Sequence, residues 1–112
     1  VGGMMYPVVD GNYDFAARDC FRQNKNTCIS WFLSASYAYY IRYESLLSDE
    51  VYDKMAKYIL DNYESIEHPH KHLVTKDMLV AGTAFNLKEQ DYPTIVKVTT
   101  EDFIKEVNLA RN

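Results

Sequence analysis

The chain has 112 residues, a formal net charge of −4, 47% apolar residues and 14% aromatic residues. This composition can bury a core within one domain over residues 1 to 112, and it excludes a disordered polyelectrolyte. The longest apolar-looking run, residues 29 to 41, is interrupted by serines and tyrosines and is shorter than the roughly 20 residues that span a bilayer, so a membrane protein is not expected either.

Residues 1 to 11 contain Gly2, Gly3, Pro7 and an Asp10-Gly11 turn, which predicts an extended lead-in with a short strand at residues 6 to 9. Residues 14 to 22 fit a short helix on the recurrence of Phe15, Ala16, Asp19 and Cys20, followed by a polar turn. Cys20 and Cys28 are the only cysteines, at a spacing that matches no zinc or redox motif. Reduced thiols are expected, because no basic segment followed by an apolar stretch marks the chain for secretion; the expected location is the cytoplasm.

A helix is expected to begin near Asn26 or Thr27. Ile29, Phe32, Leu33, Ser36, Tyr40 and Tyr43 lie on one side of it, and Trp31, Ala35, Ala38 and Tyr39 on another. It is apolar nearly all round, so it is buried on several sides or forms a pocket wall. Only residues 44 to 47 separate it from a second helix, which makes residues 26 to 67 an αα-hairpin. Ser48 is a good N-cap, Asp49 and Glu50 suit the positive first turn, and Val51, Met55, Tyr58, Ile59 and Tyr63 form the core stripe. Asp49, Tyr52 and Asp53 stand at i, i+3 and i+4, sharing a different face, and Tyr39 and Tyr40 can meet them across the junction.

These residues admit two readings. Acceptors and phenols on one face can bind a ligand. Equally, Asp49 can neutralise a helix N-terminus, Asp53 can pair with Lys57, and the tyrosines can be interfacial core.

Tyr37-x-Tyr39-Tyr40, then Asp49-x-x-Tyr52-Asp53, resembles the small N-terminal helical domain of NAD-dependent DNA ligases, which grips the nicotinamide mononucleotide (NMN) half of NAD. The family pattern, Tyr-x-Tyr-His followed by Asp-x-x-Tyr-Asp at the same distance, matches without a gap, with Tyr40 in place of the histidine. Glu67-His68-Pro69 is similar to the segment that follows the second helix there, so the resemblance covers about residues 37 to 70. Short phage-encoded proteins with such a hairpin continue into segments similar to His68 to Leu73 and Ala81 to Phe85. The resemblance implies that Tyr39 borders the nicotinamide ring, Asp49 and Asp53 accept hydrogen bonds from ribose or carboxamide, and Tyr52 closes the pocket, with Tyr40 beside them. NAD or NMN is the implied ligand. Ligase activity is not expected, since the Lys-x-Asp-Gly motif of the catalytic domain is absent; Val8-Val9-Asp10-Gly11 lacks the lysine.

Downstream, His68, His70 and His72 fall on one side of an extended segment, yet no second ligand cluster follows at zinc-like spacing, so no metal is expected. Pro69 is expected to end the second helix. Thr75 opens a helical turn over residues 76 to 80, and residues 81 to 84 are a small-residue patch without phosphate-loop character. Residues 94 to 98, β-branched and alternating, predict a strand paired with residues 6 to 9, and Thr99 or Thr100 then caps a final helix bearing Phe103, Ile104 and Val107. The expected fold is therefore mainly α: a helical hairpin core with a short two-stranded β element.

Residues 44 to 67 carry seven acids against Lys54 and Lys57. Phosphate backbones are repelled there, so direct nucleic-acid binding is not expected. Two functions fit: a non-catalytic module of phage-like origin that binds a nicotinamide nucleotide, or a small acidic phage protein that binds and inhibits or redirects a host protein.

Overall fold

The helix α2 (Thr27–Tyr40) holds the molecule together because its sequence has no polar side to turn to water. It has no charged residue, and Cys28, Ile29, Phe32, Leu33 and the run 34 to 38 are all buried. The computed structural model describes residues 13 to 82, 84 and 87 to 111. Around α2 pack α1 (Asp14–Gln23), α3 (Asp49–Asp61) and the long α5 (Thr94–Arg111), while α4 (Lys76–Ala81) reaches the core through α3. Three 3-10 turns, Tyr63–Ser65, Lys71–Leu73 and Glu89–Asp91, complete the described architecture. No described helix is long and apolar enough to cross a membrane.

The α2–α3 hairpin follows from its local chemistry. Ser48 adopts an extended conformation and its Oγ accepts from the Val51 N–H at 3.3 Å, while its own N–H donates to the Asp14 carboxylate at 2.8 Å. The first turn of α3 is thereby capped and tied to α1. Val51, Met55, Ala56 and Ile59 then bury one stripe of α3. The N-terminus of α4 is built the same way, with Thr75 Oγ1 accepting from the Met78 N–H at 3.2 Å, and Gly82 closes it at φ 70°, a left-handed conformation that suits glycine.

Four expectations are corrected. Residues 94 to 98 are not a strand, and among the described residues there is none; residues 6 to 9 lie outside the described residues. Instead α5 starts after Pro93, whose carbonyl accepts from the Lys97 N–H at 3.1 Å. Val96, Thr100, Ile104 and Val107 are buried at helical spacing, while Ile95 and Val98 are exposed. Packing against α2 overrides β-branched propensity, which is a weak preference. Thr100 is consequently no cap: it is fully buried inside α5 and its hydroxyl donates back to the Val96 carbonyl at 2.7 Å.

The other two corrections concern helix ends. α3 stops at Asp61, well before Pro69, where the Asn62 side-chain amide donates to the Tyr58 carbonyl at 2.9 Å. α2 stops at Tyr40, so residues 41 to 48 form the connection. Tyr43 takes a positive φ of 57°, and the reversal lets the Glu44 N–H reach the Ala38 carbonyl at 2.8 Å. Leu46 and Leu47 are buried beneath this connection and pin it to the core.

A second packing centre joins α2 to α5. Trp31 stacks on Phe103 at 5.4 Å and 4°, Tyr13 packs on the same ring at 4.6 Å, and the Tyr13 hydroxyl donates to Glu106 at 2.8 Å. Cys28 is a free thiol in the main core, and burial pushes its pKa up to about 12, so it is neutral and shielded. The Cys20 side chain lies outside the described residues.

Candidate functional site

The C-terminal turn of α2, the pinned connection and the first turn of α3 enclose a cleft of about 270 Å³. Tyr39, Tyr40, Asp49, Tyr52 and Asp53 all line it, together with Ala35 from α2 and Gly82 from the end of α4. The volume is just below the roughly 300 to 1,000 Å³ usual for small-molecule sites, room for one ring and its sugar more than for a full dinucleotide. A more open recess of about 310 Å³ shares Tyr39, Tyr40 and Ser45 with the cleft and adds Tyr43 to its lining.

Each residue has a distinct place. Tyr39 is half exposed and meets Tyr40 edge to face, ring centroids 4.9 Å apart at 89°. Tyr52 is the floor and not a lid. Its ring stacks on Phe32 at 4.9 Å, and its hydroxyl shares a 2.7 Å hydrogen bond with the fully buried Ser36. Burial raises the Tyr52 pKa well above the ordinary phenol range, so the floor is neutral. Packing on Phe32 and the Ser36 hydrogen bond hold the Tyr52 ring inward at the base of the cleft.

Asp49 and Asp53 are exposed on the α3 side of the cleft. No ion pair joins Asp53 to Lys57; the i,i+4 pair on this helix is Glu50 with Lys54 at 3.4 Å. A Cβ placed on Gly82 would lie 3.8 Å from the Asp53 carboxylate, which locates that oxygen against the end of α4. The buried Tyr92 hydroxyl has no hydrogen-bond partner among the described residues and lies within electrostatic reach of Tyr40 and Tyr52.

Sequence reasoning missed a second polar constellation. Ser30 Oγ is 2.9 Å from His68 Nε2, while His68 Nδ1 accepts from the His70 backbone N–H at 3.1 Å. With Nδ1 used as an acceptor, the neutral ring carries its proton on Nε2 and donates to Ser30. A general base needs the reverse arrangement, so this pair is not a nucleophile and base. Burial, then the neighbouring His70, lowers the His68 pKa and favours that neutral ring. Neither residue type nor spacing signals the contact, since Ser30 and His68 stand 38 positions apart. Among the described residues no three of His, Cys, Asp and Glu converge as metal ligands.

Compared with protein-family models, curated proteins and solved structures, the chain matches none of them.

Proposed function

We propose that this protein is a non-catalytic binding module of phage-like origin, acting in the cytoplasm of its host, whose α2–α3 cleft takes the nicotinamide half of NAD or NMN. The observation that carries the reading is the meeting of Tyr39, Tyr40, Asp49, Tyr52 and Asp53 in one cleft of about 270 Å³. A π face suits a flat heteroaromatic cation, and exposed carboxylates accept hydrogen bonds from ribose hydroxyls or a carboxamide. The gapless resemblance to the ligase domain over residues 37 to 70 supports the same ligand.

The alternative, capture of a host protein by the acidic surface, has less behind it. Two acids of that surface are already engaged, Glu50 with Lys54 at 3.4 Å and Glu64 with Lys76 at 2.8 Å. Titration calorimetry with NMN, NAD and ATP tests the proposal. Saturable binding of the nicotinamide compounds is expected, with loss of at least tenfold in affinity in an Asp49→Ala, Asp53→Ala variant that keeps its circular dichroism. No heat at millimolar ligand would reject the nucleotide module and turn the search to protein partners.

A further inference from the structure

We infer that the cleft selects its ligand by positive charge and takes a phosphate-free nicotinamide nucleoside, an N-ribosyl pyridinium cation, in preference to the corresponding nucleotide; the inference rests on the module reading above. The lining of the cleft and of its adjoining recess decides this. Among the described residues, neither includes a lysine, arginine or histidine. The cleft offers three phenol rings and two carboxylates, and the recess adds Tyr43 to the Tyr39 and Tyr40 it shares with the cleft. Aromatic faces attract a cation through their quadrupole, most strongly where the cation is partly desolvated.

A phosphate has no comparable reception. The first turn of α3 is the nearest positive dipole end, but Ser48 already caps one of its free amides. The Val51 N–H donates to Ser48 Oγ at 3.3 Å. Asp49 and Glu50 then place two carboxylates on that same turn. An arriving phosphate dianion meets like charge at the position where a phosphate site presents free amides. Arg42, on the connection beside the cleft, is held by Glu101 of α5 at 3.1 Å.

The pyridinium ring has the opposite fit. It is flat and singly charged, and its ribose hydroxyls are donors for Asp49 and Asp53. Two-electron reduction of the ring removes its charge without changing the sugar, so oxidised and reduced nucleosides isolate the charge from the shape.

Calorimetry at low ionic strength and pH 7 with nicotinamide riboside, its dihydro form and NMN tests the inference. The riboside is expected to bind at least tenfold more tightly than either, a difference of about 1.4 kcal/mol. Added salt is expected to narrow that margin, and the isosteric Asp49→Asn, Asp53→Asn variant to abolish it. NMN binding as tightly as the riboside, or equal binding of the two ring oxidation states, would overturn the charge selection and leave the module reading standing. Failure of every nicotinamide compound to bind would overturn both.

Discussion

Tyr52 and Tyr92 allow the same chemical change, loss of one phenolic oxygen, to be made in two environments with opposite expected signs. In Tyr52→Phe the ring keeps its stack on Phe32, but Ser36, fully buried, loses its 2.7 Å partner. Leaving a buried hydroxyl unmatched costs about 1 to 2 kcal/mol. In Tyr92→Phe the hydroxyl removed is buried without a partner among the described residues, while the edge-to-face packing on Tyr37 at 5.2 Å is retained. Deleting an unmatched group relieves its desolvation penalty, a gain of about 1 kcal/mol. The two variants should therefore differ by about 2 to 3 kcal/mol, and Ser36→Ala combined with Tyr52→Phe should recover part of the loss. Urea unfolding followed through the single tryptophan, Trp31, measures this directly, provided fluorescence and circular dichroism transitions coincide. Equal shifts of the same sign in both variants would refute the assignment of one phenol as bonded and the other as orphaned.

Two further outcomes are expected from the same molecule. Tyr43→Gly should raise stability by about 1 kcal/mol, because φ 57° strains a bulky residue and not glycine; a loss of stability in thermal unfolding would mean that the exposed ring contributes packing that outweighs the strain. His68 has a pKa lowered by burial, so the unfolded chain binds the proton more readily than the folded one. Its stabilising contribution is present above the unfolded value of about 6.5 and is lost as pH falls from there through the lowered folded value. Unfolding midpoints between pH 7 and pH 5 should decline less steeply in His68→Gln, and an unchanged slope would contradict the burial of a neutral His68 ring.

How much was legible in the sequence depended on whether the deciding interaction was local. Ser48 and Thr75 announce their helices because a cap is a bond to an amide three residues on. The meeting of Tyr39 and Tyr40 with Asp49, Tyr52 and Asp53 was visible for a similar reason, as a short connection leaves two helix ends nowhere to go but together. Residues 94 to 98 misled because β-branching and alternation are also compatible with a helix that packs on α2 and buries Val96 and Thr100. The inward turn of Tyr52 was hidden because Ser36, its partner, sits in another helix. Tyr43 reads as one more helical aromatic, and nothing local marks it as the left-handed residue that ends α2.

The central claim is that the α2–α3 cleft is the ligand site, and amide chemical-shift mapping tests it most directly. With the assigned, 15N-labelled protein titrated with nicotinamide riboside, the account predicts the largest shifts at Tyr39, Tyr40, Ser45, Asp49, Asp53 and Gly82, which surround the cleft. Shifts centred instead on Ser30, His68 and Thr99, which line the separate groove between α2 and α5, or no shifts at all, would contradict it.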